Sequence, residues 1–332
     1  MTHHQRVLAA LRGEAADHPP VALWRHFPEA DQEAESFATA HIEFQEKFRF
    51  DFLKVTPASA YYADDWGYRA SYSPNPEGVR TPTEVPVRDP ADWRSLGTLD
   101  VKAGALGREL RALTLIRERI GKELPMIETV FSPLSIACSL AGERALLEHL
   151  RNAPEALEAG LEVIAEVTRN FAAECLRAGA DGIYFATQMA RAGLLSRDEY
   201  SRFGRAHDLR VLDAAAAAEI VIVHAHGDGA YVDFFKDYPA GAIHWADRRT
   251  SPSLREARGV LSRCVAGGID AAPFARRKPE EIRAEVREAL SQTGGRGHIV
   301  AAGCVIPIDS PPENIHAAVA AARGFAPLPS TP

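Results

Sequence analysis

Short apolar segments alternate with longer segments of helical periodicity along the whole chain. We predict eight strands from apolar and β-branched runs of five to seven residues: 21–27, 50–56, 125–131, 182–188, 220–226, 242–246, 264–269 and 298–302. Segments with apolar residues at helical spacing separate and follow them: 30–47, 106–119, 140–150, 154–178, 197–218, 230–238, 253–258, 279–292 and 312–323. This alternation predicts an α/β fold, a single (β/α)8 TIM barrel over residues 1–332. A doubly wound sheet is the alternative, but no glycine-rich phosphate loop follows the first predicted strand.

Local signals support several of these helices. Ser196 and Glu199 have the spacing of a capping box, and Pro154, Pro279 and Pro312 suit the first turn of a helix. Residues 61–99 are instead rich in Pro, Tyr and Asp. We interpret this segment as an insertion after the second strand, with a small hairpin, on the catalytic face of the barrel.

Two histidines stand two residues apart at the end of the fifth predicted strand, in the segment VIVHAHG at 221–227. Since side chains alternate along a strand, His224 and His226 are expected on one face. Paired imidazoles there predict a metal or acid–base site, whereas a single histidine is more often hydrogen-bonded within a core. Cys304 ends the last predicted strand and is either a third ligand or a small buried apolar residue. Two imidazoles and a thiolate would form a zinc site with an open fourth position.

Further side chains of chemical interest fall at predicted strand ends, which line one mouth in a barrel. Arg25 suits a carboxylate or phosphate of a substrate, with a salt bridge at the rim as the alternative. Glu128 is either a site residue or a buried charge with a partner, and Asp270 either reacts or supports a reacting group. Three more residues are predicted to contact substrate, although aromatic residues at strand ends often only pack: Phe131, Gln188 and Trp245.

Composition and charge narrow the function. The chain has 332 residues, 46% hydrophobic and 25% charged, as in soluble globular proteins. A net charge of −7 disfavours binding to nucleic acid or to an anionic membrane. We see no apolar run of membrane-spanning length and no signal-peptide core. Four scattered cysteines without a CxxC motif predict a reducing, cytoplasmic location.

Several segments, in the same order along nearly the whole chain, resemble the uroporphyrinogen decarboxylase superfamily. The segment PVALWR at 20–25 resembles its first strand, where Pro-Val leads to an essential Arg. Residues 130–134, 178–183 and 265–270 resemble three further strand-end or strand-entry motifs. GCVIP at 303–307 and PPENI at 311–315 are similar to its C-terminal motifs. The resemblance implies a (β/α)8 barrel.

The departures favour one branch of this superfamily. True decarboxylases carry an Asp at the end of the second strand, but here that end reads KVTP at 54–57. Only Arg25 remains of their arginine signature, and Cys304 replaces their C-terminal His. These features resemble the cobalamin-dependent methyltransferases, which bind zinc through His-x-Cys on one strand and through the Cys of Gly-Cys-x-x-Pro. The resemblance implies zinc bound by His224, Cys304 and His226, which stands where the middle Cys would be.

We therefore predict a zinc-dependent methyltransferase that moves a methyl group between a corrinoid and a small acceptor, most simply a thiol. In it, Arg25 anchors an anionic group, and Glu128 and Asp270 are acid–base or supporting groups. The alternatives are a metal-free decarboxylase of a tetrapyrrole or other carboxylate, and a non-catalytic corrinoid or tetrapyrrole carrier. The expected partners are a small molecule, a corrinoid protein and, as in decarboxylases of the family, a second copy of the chain. We expect neither nucleic acid nor membrane as a partner.

Overall fold

The computed structural model describes residues 1–326, so residues 327–332 of the predicted domain lie outside the described part. The helices are α1 (His3–Leu11), α2 (Ala34–Phe48), α3 (Gly104–Ile120), α4 (Pro133–Ala141), α5 (Glu143–Asn152), α6 (Pro154–Arg177), α7 (Arg197–Tyr200), α8 (Ala206–Ala214), α9 (Leu254–Leu261), α10 (Pro279–Thr293) and α11 (Pro312–Arg323). The strands are β1 (Leu53–Lys54), β2 (Arg69–Ser71), β3 (Thr81–Glu84), β4 (Met126–Phe131), β5 (Gly182–Thr187), β6 (Ile220–Ala225), β7 (Ala242–Trp245), β8 (Cys264–Ile269) and β9 (His298–Ala302).

Seven strands form one curled parallel sheet in the order β1-β4-β5-β6-β7-β8-β9. The strands from β4 to β9 are buried along their whole length, because helices cover the sheet. This confirms the α/β class and an arrangement consistent with a TIM-like barrel. All carboxyl ends of these strands lie at one edge, where the candidate side chains collect.

The prediction of a regular strand at 21–27 is wrong for most of its length. Only Val21 makes a parallel bridge, to Val300 of β9. The Val21 carbonyl accepts a hydrogen bond of 2.9 Å from the Asp51 amide just before β1. The segment thus lies between the two edges of the sheet. Its pairing with β9 is centred on Val300, which donates to the carbonyl of Pro20 and accepts from the amide of Ala22.

Some helices also differ from the prediction. The predicted helix at 140–150 is two helices, α4 and α5, which meet at Gly142. The one predicted at 197–218 is α7, a π-helical turn at Ser201–Arg205 and α8. A 3-10 helix, Val232–Asp237, replaces the one predicted at 230–238. Helix α1 was not predicted. Among the described residues, no helix is both long and apolar enough to cross a membrane.

The chain between β1 and α3 contains two 3-10 helices, Tyr61–Trp66 and Pro90–Ser95, and the antiparallel pair β2–β3. The pair is the small hairpin expected there. That the segment is an insertion stays a prediction. Its tip reaches the mouth of the sheet, where Glu77 borders both cavities described below.

Candidate metal and substrate site

Three side chains predicted as metal ligands meet at the carboxyl edge of the sheet. The Nε2 atom of His224 lies 3.3 Å from Nδ1 of His226, which lies 3.8 Å from Sγ of Cys304. The ligand atoms of all three lie within 4.8 Å of one another. We call His224, His226 and Cys304 the triad. β6 supplies His224, and the residue just beyond its end supplies His226, while Cys304 follows the end of β9.

A chain of hydrogen bonds fixes the proton on His224. Nε2 of His244 lies 2.8 Å from the carbonyl oxygen of Ala302 and must donate to it, since a carbonyl only accepts. In the neutral ring, Nδ1 of His244 therefore accepts, and it lies 2.8 Å from Nδ1 of His224. The hydroxyl of Tyr184 lies 2.7 Å from the same nitrogen and shares its single lone pair with the Nδ1 proton of His224. His224 thus carries its proton on Nδ1, and the lone pair of its Nε2 faces the triad.

Burial and neighbouring charges keep the imidazoles of His224 and His244 neutral. Desolvation, and then the charges of His244 and His226, lower the pKa of His224 well below its usual value. Desolvation lowers the pKa of His244 to about 3. Both imidazoles are therefore uncharged near neutral pH, which is the state required of a metal ligand and of the residue that orients it.

His226 and Cys304 stabilise each other in charged form. Burial alone would raise the pKa of the Cys304 thiol, but the hydrogen bond with His226 and the nearby positive charges lower it. Burial would lower the pKa of His226, but the hydrogen bond and the charge of Cys304 raise it. A proton on Nδ1 of His226 would be shared between hydrogen bonds to the Cys304 thiolate and to the lone pair on Nε2 of His224. The donor atoms therefore converge on a position that already favours a positive charge.

The geometry suits a zinc ion. Zinc–nitrogen bonds of about 2.0–2.1 Å at tetrahedral angles place two nitrogens about 3.3 Å apart, and a nitrogen and a thiolate sulfur about 3.5–3.6 Å apart. The spacings of 3.3 Å and 3.8 Å in the triad are close to these. Two imidazoles and a thiolate are ligands that zinc prefers, and three of them leave a fourth position open.

Gly303 allows Cys304 its position. A Cβ atom at Gly303 would lie 2.7 Å from the Cα atom of Ala246, closer than real Cβ contacts come. The end of β9 therefore approaches the backbone after β7 because residue 303 has no side chain. This gives the Gly-Cys pair, noted in the sequence, a structural reason.

Two cavities meet at the triad. The inner cavity, about 210 Å³, is lined by His224 on its sheet side and by Trp24, Phe131 and Gln188. The outer cavity, about 460 Å³, is lined by Asp270, Arg248 and other residues of the loops that follow the later strands. His226 and Cys304 border both cavities, together with Glu77 and Val305. The triad thus forms part of the wall between two compartments.

The inner cavity also contains a charged residue that sequence reasoning missed. Lys54 ends β1, is 5% exposed and lines this cavity. Its Nζ lies 4.5 Å from the ring centroid of Tyr184 and 5.5 Å from that of Trp24. The available signal was a lysine inside the apolar run FDFLKVT at 50–56, two residues before Thr56 on the same face.

Arg25 does not share a cavity with the triad. Its neighbours Trp24 and His26 line the inner cavity, so the alternation of the backbone directs Arg25 to the other side. There it donates to the carbonyl of Ile308 and lies over the rings of Phe27 and Phe44, at 4.8 Å and 5.5 Å from their centroids. It lines a separate cavity of about 310 Å³ beside α2 and the start of α11.

Two more candidates point away from both cavities. Glu128 is fully buried on the helix-facing side of β4, and burial and the charge of Glu109 raise its pKa well above the usual value. Trp245 is fully buried, and its Nε1 donates to the carbonyl of Pro252 at 2.9 Å. Glu128 and Trp245 are each next in the chain to a residue whose side chain faces the cavities, so their own side chains face the other way. A position at the end of a strand does not by itself predict which of the two faces a side chain occupies.

The remaining candidates lie at the cavities. Phe131 and Gln188 line the inner one and Asp270 the outer one. Asp270 is paired with Arg249, whose Nε lies 2.8 Å from its Oδ1. The pairing favours a supporting role for Asp270, because its charge is already compensated.

Comparison with known proteins adds to this geometry. The profile of the family described as uroporphyrinogen decarboxylase matches residues 2–325. The chain is 23% identical over 242 residues to the methylcobamide:CoM methyltransferase MtbA of Methanosarcina mazei, covering 72% of this chain and 70% of that one. It is 24% identical over 346 residues to the uroporphyrinogen decarboxylase of a Synechococcus strain, covering 94% and 90%.

A solved structure shares the fold. A methyltransferase from Methanosarcina mazei superposes with a TM-score of 0.87 at 21% identity, over 98% of this chain and 99% of that one. At this identity the likeness establishes the fold alone.

Proposed function

Since the chain belongs to the uroporphyrinogen decarboxylase family, we propose that it is a zinc-dependent methyltransferase that moves a methyl group between a corrinoid and a small thiol. The observation that carries the proposal is the triad, whose ligand atoms lie within 4.8 Å of one another. The similarity to methylcobamide:CoM methyltransferases supports the corrinoid. The curled parallel sheet supports a (β/α)8 barrel in which residues 20–24 complete the circle.

His224, His226 and Cys304 would hold the metal. When bound, zinc would act as a Lewis acid that lowers the pKa of a thiol at its open position. The chain's own residues prepare that position. His244 holds the proton of His224 away from the triad, and Trp24 and Phe131 give the inner cavity an apolar wall. A corrinoid substrate would supply the methyl group, and the acceptor thiolate at the triad would receive it.

The end of β1 disfavours the decarboxylase alternative. Lys54 lies there and lines the inner cavity, where true decarboxylases have an Asp at the end of the second strand. We expect no conversion of uroporphyrinogen to coproporphyrinogen at an enzymatic rate.

The proposal is tested first by metal analysis of protein purified without a histidine tag. We expect about one zinc per chain and a sharp loss in Cys304→Ala, with little change in thermal stability. Cys264→Ala is the matched control, because Cys264 is buried in β8 away from the triad. Zinc content that does not change in Cys304→Ala would contradict the proposed ligand set.

The second test is methyl transfer itself. Purified protein is incubated with methylcobalamin and a small thiol, and loss of the carbon–cobalt bond is followed by absorbance. We expect turnover that requires zinc and Cys304. Tight corrinoid binding without turnover or metal would favour the carrier instead. A corrinoid protein as donor, a homodimer and a cytoplasmic location stay predictions that belong to the same proposal.

A further inference from the structure

Arg25 is a half-buried cation in a cavity of its own. Its guanidinium has five N–H donors, and in the described part of the chain only the carbonyl of Ile308 accepts from it. The Nε–H is buried and has no hydrogen-bond partner there. The rings of Phe27 and Phe44 lie against the guanidinium but supply only their quadrupoles. An arginine stays charged in proteins, so the Nε side of this charged group lacks an acceptor.

Among residues 1–326, the charge of Arg25 has no carboxylate partner within 4.0 Å. Desolvation lowers the pKa of Arg25, and no contribution from a carboxylate of these residues opposes it. Glu43 borders the same cavity, but its side chain is exposed and does not reach the guanidinium. Removing a cation from water without a counterion is costly, which indicates a ligand that supplies negative charge.

The lining of the cavity combines a positive charge with an apolar surface. Arg25 and Lys47 are its cations and Glu43 is its carboxylate, so positive charge is in excess by one group. Most of the other lining residues are apolar: Phe27, Ala40, Phe44, Phe48, Pro312 and Ile315. The volume of about 310 Å³ is about ten times the ~30 Å³ share of one water in the liquid. A molecule with one ring and one charged group fits this space.

This cavity is separate from the triad. Among the described residues, none that lines it also borders the inner or the outer cavity. A molecule bound beside Arg25 would therefore not contact His226 or Cys304. It would be an additional ligand of the protein and not a reactant at the proposed metal.

We propose that the cavity between α2 and α11 is a second ligand site, which binds a monoanionic carboxylate with an apolar body the size of a benzene ring. The carboxylate accepts from the Nε–H and Nη2–H of Arg25, the bidentate arrangement that a guanidinium favours. The apolar body packs against Phe48 and Ile315. Because the lining has an excess of one positive charge, it favours one negative charge over two. The inference depends neither on zinc nor on methyl transfer.

The test uses probes that separate charge from shape. Binding of benzoate, neutral benzamide and acetate to the full chain is measured by calorimetry or NMR. We expect benzoate to bind at least about tenfold tighter than benzamide, which lacks the charge, and than acetate, which lacks the ring. Arg25→Met should weaken benzoate binding about 10- to 100-fold, as for the loss of charge-assisted hydrogen bonds, and change benzamide by less than about twofold.

Two exposed positions at the rim of the cavity keep the test decisive if Arg25→Met does not fold. Lys47→Met should weaken benzoate binding about two- to fivefold, because it removes a cation at the surface. Glu43→Gln should strengthen it by a similar factor, because it removes the carboxylate. Arg12→Met is the matched control, since Arg12 is exposed and lies outside the cavity, and it should change nothing.

Two variants of the inner cavity and one crystal experiment locate the site. Lys54→Met and Cys304→Ala change residues that line the inner cavity, and both should leave benzoate affinity unchanged. Crystals soaked in 4-bromobenzoate should show the anomalous signal of bromine between α2 and α11. Benzoate affinity that falls in Lys54→Met but not in Arg25→Met would place the ligand at the triad and overturn the inference.

Three further outcomes would overturn it. They are benzoate binding no tighter than benzamide binding, equal loss of benzoate affinity in Arg25→Met and Arg12→Met, and bromine bound only outside the cavity. Selective benzoate binding that persists in a protein found to hold no zinc and to transfer no methyl group would refute the proposed function and leave this site intact.

Discussion

The orientation of His224 depends on one residue that touches neither cavity. His244 accepts the Nδ1 proton of His224 at 2.8 Å, and its own Nε2 is committed to the carbonyl of Ala302. Without His244, the Nδ1 proton of His224 would lose its acceptor, and both tautomers of His224 would be accessible. His244 is therefore a positioning residue.

We predict that His244→Leu weakens zinc binding about 10- to 100-fold, the usual cost of losing a residue that orients a metal ligand. Competition with a chromophoric chelator measures it. His298→Leu is the matched control, because His298 is equally buried in β9 and also bonds to a backbone carbonyl, that of Gly267. Equal loss of affinity in both variants would show a general effect of core damage.

At the scale of single residues, the sequence predicted the triad but not the side chains that contact it. The sequence predicts that His224 and His226 lie together because residues i and i+2 share a face of a strand, and the family motif adds Cys304. It does not predict that His244 and Tyr184 contact His224. Those contacts depend on the register between β5, β6 and β7, which pairs His224 with His244. The sequence also indicates Arg25, Glu128 and Trp245 as site residues, because a position at a strand end does not reveal which face of the sheet a side chain occupies.

The end of β9 positions Cys304 through a close backbone approach. Gly303→Ala would force β9 and the residues after β7 apart, since a Cβ would lie 2.7 Å from Cα of Ala246. We predict a loss of stability of about 1–3 kcal/mol, as for overpacked cores, and weakened zinc binding. Chemical denaturation and metal titration measure the two effects.

Gly259→Ala is the control for this prediction. Gly259 lies inside α9, and a Cβ there meets nothing within 4 Å. Alanine should stabilise the helix by about 0.5–1 kcal/mol and leave zinc binding unchanged. A loss of zinc in Gly259→Ala, or normal zinc affinity in Gly303→Ala, would count against the role of the close approach.

Helix α8 carries a buried carboxyl that makes stability depend on pH. Burial raises the pKa of Asp208 to about 6 from 3.8, although the hydroxyls of Tyr200 and Tyr238 donate to it at 2.6 Å and 2.9 Å. A carboxyl with a raised pKa in the folded state binds its proton more tightly there than in the unfolded chain. Its contribution is therefore complete below about pH 4 and is lost as the pH rises through about 6.

We predict that Asp208→Asn removes this slope. Relative to wild type, the variant should gain about 2–3 kcal/mol in free energy of unfolding between pH 4 and pH 7. Denaturation at several pH values measures the difference. Asp213→Asn, an exposed position on the same helix, should follow the wild-type curve. A constant difference between Asp208→Asn and wild type across this range would contradict the assignment.

At the scale of elements, the sequence predicted strands well where they are buried on both faces. β8 and β9 have the predicted bounds, and β4 to β7 differ by one residue at an end. Residues 21–27 carry the same apolar signal, but their hydrogen bonds go to β9 and to the chain before β1 without a regular ladder. Apolar patterning reports burial, and it cannot report whether the neighbouring edges are in register.

For the whole molecule, Asp51 ties three parts of the chain together. Its Oδ1 accepts from Nη1 of Arg6 in α1 at 2.7 Å and lies 3.0 Å from Nδ1 of His3. Its Oδ2 accepts from the amide of Val21 at 2.9 Å. One fully buried carboxylate thus joins the N-terminal helix, the segment between the sheet edges and the approach to β1.

We predict that Asp51→Ala costs about 3–5 kcal/mol, because it leaves the buried guanidinium of Arg6 with a single carboxylate, that of Asp17. Unfolding by denaturant measures the loss. Hydrogen exchange should rise first in α1 and at residues 20–24, if the loss is local to this junction. Asp233→Ala is the control, because its ion pair with Arg197 is exposed, and it should cost less than about 1 kcal/mol. Equal costs would show that Asp51 does not have this role.

The shared wall between the two cavities has a consequence for the order of events in turnover. A reactant in the inner cavity and another in the outer cavity can be present at once, since His226 and Cys304 border both. Steady-state kinetics with both substrates varied should then give intersecting double-reciprocal lines, which indicate a ternary complex. Parallel lines would mean that the protein carries the methyl group between two half-reactions. The two substrates would then bind at the triad one after the other.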